Sequence, residues 1–141
     1  MVKKIDHIGI AVHSIEDALL FYKDILQLTY LGTEEVNSQQ VRVAFLSAGE
    51  TKIELLEPMS SNSPIAKFLQ KKGEGIHHVA FGVHDLSARL VELKMKGIPL
   101  IDEVPREGAA NSQIAFIHPK AAKNVLVELC EKNNGGDLNE S

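Results

Sequence analysis

Apolar and polar positions alternate strictly at two places in the chain. "DHIGIAV" near the start and "HHVAFGV" after residue 76 both read with the period of two that marks a strand. Each is followed by a run of helical spacing. In the first, Ser14 and Asp17 form an S-x-x-D start that predicts a helix to about Leu26. In the second, Asp85 caps a helix that stops at Gly97. Both halves then close on a pair of strand-like runs, "VRVAFLSAGETKIELLEP" and "SQIAFIHPKAAKNVLVELCE", whose second member carries a glutamate among aliphatics. His7 and His78 are 71 positions apart and Glu54 and Glu128 are 74 apart; the longer turn at "HPKAAKN" than at "SAGE" absorbs the drift. The chain reads as an internal duplication.

These elements predict modules at about 4–58 and 75–131. Residues 59–74 form a linker, "MSSNSPIAKFLQKKGE", with one short helix after Pro64. At 141 residues and 44% hydrophobic content, positions 1–131 make one domain with a real core. The tail 132–141 lacks apolar periodicity and is expected to be disordered. A net charge of -4 from interspersed residues favours neither nucleic acid nor an anionic membrane as partner. No run approaches the ~18 apolar residues of a membrane span. With a strand pattern opening the chain and no cleavage site, a cytoplasmic protein is expected. The single cysteine, Cys130, reads as a packed thiol.

The alternation also assigns faces. His7, Gly9 and Ala11 share one side of the first strand, and His78, Ala80 and Gly82 one side of the other; the bulky residues lie opposite. A face of small residues around a histidine predicts a cavity lining, and makes His78 rather than His77 the working residue of the pair. His77 is expected to pack or hydrogen-bond on the opposite face. His13 and His84, at helix starts, are expected to be surface or capping groups. Either working histidine alone is more often a hydrogen-bonded structural residue, and Glu54 could equally face solvent beside Lys52 and Glu57. Taken together, two histidines and two mid-strand glutamates, one of each per repeat, match a divalent site for zinc, cobalt, nickel, manganese or iron. A carboxylate in such a strand is badly desolvated unless it is paired or holds a cation.

The segments "DHIGIAV", "KIELLEP", "SPIAKFL", "GEGIHHVAF", "HPK" and "VLVEL" resemble the methylmalonyl-CoA epimerase family of the vicinal oxygen chelate superfamily, over nearly all of residues 4–131. The resemblance implies an α+β fold in which two tandem βαβββ modules make a curved eight-stranded half-barrel sheet around one metal. It places His7, Glu54, His78 and Glu128 at the ligand positions. One divalent ion per chain (Co, Zn, Ni or Mn) and a homodimer are implied with it. The implied reaction interconverts (R)- and (S)-methylmalonyl-CoA by removing and returning the α-proton through a metal-stabilised enolate. Several relatives carry a glutamate base at the position of Val43, so Glu54 and Glu128 are the candidate catalytic pair. Lys67, Lys71 and Lys120 could meet coenzyme A phosphates, and His118 could be a turn residue or reach substrate with Lys120. A glyoxalase-type isomerase acting on a thiol hemithioacetal would use the same ligands. An Fe(II) ring-cleaving dioxygenase and a metal-free ligand-binding protein of this fold are the more distant alternatives.

Overall fold

Eight strands and three helices account for most of residues 1–133, the part of the chain that this computed structural model describes. In order they are β1 (Val2–Ala11), α1 (Ile15–Leu19), β2 (Thr29–Val36), β3 (Val41–Ala48), β4 (Thr51–Pro58), α2 (Pro64–Lys72), β5 (Gly75–Val83), α3 (Leu86–Met95), β6 (Arg106–Gly108), β7 (Ser112–Ile117) and β8 (Val127–Lys132). Of the tail 132–141 expected to be disordered, 134–141 lies outside the described residues, and its start is ordered instead, because β8 runs on through Lys132.

The chain forms two units. One comprises His7–His77; the other joins Met1–Asp6 to the chain from His78 onward, so β1 contributes to both. In the first, the strand order is β2-β3-β4-β1. The β2–β3–β4 meander is antiparallel, and β4 lies parallel to β1 with Glu54 opposite Gly9. In the second, the order is β1-β5-β8-β7-β6, with β5 parallel to β8 and Ala80 opposite Glu128. A parallel pair needs a crossover, and the helices supply it.

Capping fixes where those helices begin. The Ser14 hydroxyl accepts from the Asp17 amide, as the S-x-x-D motif predicts, and Asp85 accepts from Ala88. Past Leu19 the first helix widens to i→i+5 bonding through Ile25, with Leu26 N–H donating to the Phe21 carbonyl. The helix α3 stops where Gly97 adopts a φ of 77°, which a residue with a Cβ rarely takes up. The short helix after Pro64 is capped by the Ser63 hydroxyl.

Helices α1 and α3 each cover one sheet face. Val12, Ile15, Ala44, Leu46 and Leu55 form the core under α1; Val83, Leu86, Leu90, Ala115 and Leu129 form the one under α3. Residues at odd offsets from these point to the other face, where the candidate site lies.

Candidate metal and active site

On that other face the two units repeat one arrangement residue by residue. In the first, Glu54 sits between Gly9 of β1 and Phe45 of β3, with His7 two positions before Gly9. In the second, Glu128 sits between Ala80 of β5 and Phe116 of β7, with His78 two positions before Ala80. All four polar residues are buried. His7 Nδ1 lies 3.3 Å from Glu54 Oε2, and His78 Nε2 lies 3.3 Å from Glu128 Oε1. The solvent-facing alternative for Glu54 is thereby excluded.

The small residues do not line an open cavity as expected. Ala80 is 0% exposed and packs with Ile114, Phe116 and Cys130, and Ala11 is equally covered. Their size does different work. A strand side chain leans along its strand, so a small neighbour beside each glutamate gives the imidazole room to reach it. At Gly82 an added Cβ would meet Lys4 at ordinary van der Waals distance, so no close approach requires a glycine there.

The donor chemistry fits a divalent ion. Zinc binds imidazole nitrogen at about 2.0–2.1 Å and carboxylate oxygen at about 2.0–2.2 Å. Two such ligands at tetrahedral or octahedral angles stand about 3.0–3.4 Å apart, and the 3.3 Å of each pair falls in that interval. Nitrogen and oxygen donors without thiolate suit zinc, cobalt, nickel and manganese alike.

The surroundings settle the neighbouring groups. His77 packs edge-on against Phe68 with ring centroids 5.0 Å apart, and burial, with Lys72 nearby, lowers its pKa to about 4. It is a neutral packing residue, as expected. The Cys130 thiol is pushed far above its ordinary range, mainly by burial and then by the charges of Asp6 and Glu128, so it is not a nucleophile. His13 and His84 are exposed at helix starts. His118 Nδ1 accepts from the Lys120 amide and caps a turn over Pro119–Ala122; His118, Lys120 and Lys67 all lie on the surface.

Two further glutamates were not legible as special. The Glu57 carboxylate accepts from the Ile15 amide at 2.8 Å, and Glu131 from the Asp85 and Leu86 amides at 2.8 and 3.0 Å. Each lies three residues after the site glutamate of its repeat and ties that strand to the start of its helix. The shared spacing was the available signal. Arg106 and Asp102, which flank Phe116, were also missed.

A duplicated strand–helix–strands unit, with a buried histidine–glutamate pair in each copy, defines the class of fold. Residues 6–116 match the Glyoxalase/Bleomycin resistance protein/Dioxygenase superfamily, and the chain belongs to it, within the methylmalonyl-CoA epimerase family. It is 40% identical to human mitochondrial methylmalonyl-CoA epimerase over 89% of this chain and 72% of that protein. Among solved structures, a hypothetical protein from Bacillus halodurans is 54% identical with a TM-score of 0.92, covering 94% of this chain and 96% of that one. A variant of Streptomyces coelicolor methylmalonyl-CoA epimerase in complex with 2-nitronate-propionyl-CoA is 36% identical with a TM-score of 0.90, covering 95% and 97%. These likenesses bear out the α+β fold expected from the sequence.

Proposed function

We propose that the two histidine–glutamate pairs together hold one divalent ion and that the protein epimerises methylmalonyl-CoA at its α-carbon. The observation that carries the reading is the repetition of the buried pair at 3.3 Å in both units. The names of its relatives supply the substrate class.

The hydrogen to be moved lies between a carboxylate and a thioester and is too weak an acid to ionise quickly at neutral pH. A bound divalent ion supplies Lewis-acid stabilisation of the negative charge that develops on oxygen. The proton itself is the work of this chain. One glutamate, ionised, takes the α-hydrogen; the other, protonated, gives its proton to the opposite face of the carbon, and the centre inverts. Glu54 and Glu128 are assigned these parts, with His7 and His78 as neutral imidazole ligands. Val43, buried on the face that carries Glu54, offers no proton, so the glutamates of the pairs are the acid and base.

Separating ligation from proton transfer tests this. Glu54→Gln keeps an oxygen donor and removes the base. Epimerisation is expected to fall at least about 100-fold, within the usual range for a lost general base, with the metal content by elemental analysis retained. Full activity in Glu54→Gln overturns the two-base assignment.

A further inference from the structure

The equivalence of the two units extends to their outer strands, where it is broken in charge. Glu34 of β2 stands opposite Val43, and Arg106 of β6 stands opposite Ile114, at matching places on the faces that carry Glu54 and Glu128. The position is acidic in one repeat and cationic in the other.

Arg106 is held in a defined pose. Its guanidinium lies 5.4 Å from the centroid of the Phe116 ring, and that ring meets the His78 imidazole edge-on, with centroids 5.7 Å apart. Its Nε is 3.3 Å from Asp102 Oδ1, while Asp102 Oδ2 accepts from the Phe116 backbone amide at 2.9 Å. One aspartate therefore fixes both the cation and the strand beneath it. Among the described residues only Nε is engaged in this way, which leaves the two terminal nitrogens, the fork that matches a carboxylate or phosphate. The side chain is 44% exposed, so a solute can reach it, and a half-exposed ion pair is too weak to sequester it. A purely structural filler over Phe116 would not require a charge; a preorganised fork one ring away from His78 suits an anion entering the site.

We infer that Arg106 is a specificity-determining residue that receives an anionic group of the substrate, either its free carboxylate or a phosphate of its coenzyme arm. The inference rests on the proposed acyl-CoA substrate.

Calorimetric titration of the full chain with methylmalonyl-CoA, propionyl-CoA and coenzyme A tests it, using wild type, Arg106→Gln and Arg106→Lys. Arg106→Gln is expected to weaken methylmalonyl-CoA binding at least tenfold. Arg106→Lys, which keeps the charge without the fork, is expected to fall between Arg106→Gln and wild type. A loss confined to methylmalonyl-CoA assigns the fork to the carboxylate. An equal loss for all three ligands assigns it to the phosphates. Should Arg106→Gln melt early, the same titrations on Arg106→Lys decide. Unchanged affinities in a folded variant overturn the inference alone; a wild-type chain that binds none of the three overturns the acyl-CoA reading and the inference with it.

Discussion

Replacing Glu131 by alanine removes an acceptor that serves two backbone amides at the start of α3, those of Asp85 at 2.8 Å and Leu86 at 3.0 Å. Hydrogen bonds to a charged group contribute roughly 1.5–3 kcal/mol each. The Asp85 amide is exposed and water replaces much of its loss; the Leu86 amide is part-buried and is left short of a partner. The lost interaction of a carboxylate with the helix N-terminus adds about 0.3–1 kcal/mol. The net expectation is about 2–3 kcal/mol. For a chain of this size that corresponds to a Tm lower by roughly 6–10 °C. Urea denaturation followed by circular dichroism should show the midpoint move with the slope unchanged, because the surface exposed on unfolding is the same. Glu131→Gln, which keeps one acceptor oxygen, should recover about half of the loss. A change below about 0.5 kcal/mol in Glu131→Ala would show that α3 is held by its apolar face under Leu86 and Leu90 and not by this cap.

Other consequences follow from the same geometry. His77 has a folded pKa of about 4 against 6.5 for the free side chain, so between these values the unfolded chain binds a proton that the folded one does not. Stability should fall as pH drops from 6.5 to 4, by on the order of 2–3 kcal/mol from this group. His77→Phe should flatten that part of the urea midpoint–pH profile; an identical slope in the variant refutes the assignment. Ala80→Val places a branched side chain beside Glu128, where the His78 imidazole must pass. Zinc or cobalt affinity should drop at least tenfold by competition with a chelating dye, and unchanged affinity would mean that the small residue is not what admits the imidazole. Cys130, buried with its pKa raised, should react with a thiol probe in native protein at least about 100-fold more slowly than in urea; fast native labelling would contradict its burial.

Much of this architecture is legible in the chain because duplication prints each signal twice. A period of two around His7 and His78, followed by helix starts at Ser14 and Asp85, places the modules without any tertiary information. The pairing of His7 with Glu54 and of His78 with Glu128 follows from which residues share a face. What period two does not contain is the curvature and packing of a face. Ala80 looks open in sequence but is covered by Ile114 and Phe116 of β7, with β8 between, because burial depends on partners far along the chain. Long-range side-chain to backbone bonds are hidden for the same reason. Glu131 contacts residues more than forty positions away, and nothing in "LCEK" announces it. Arg106 sits in a three-residue strand too short to show a period, so its face became known only from its register with Ile114.

The central claim is tested most directly by α-proton exchange. The metal-loaded protein is incubated with methylmalonyl-CoA in deuterated water, and the α-hydrogen signal and configuration are followed beside a chelator-treated control. Exchange and inversion are expected far above the spontaneous rate, lost with the metal and lost again in Glu128→Gln. Absence of exchange in protein that retains its metal would contradict the claim and point to a glyoxalase-type isomerase acting on a thiol hemithioacetal.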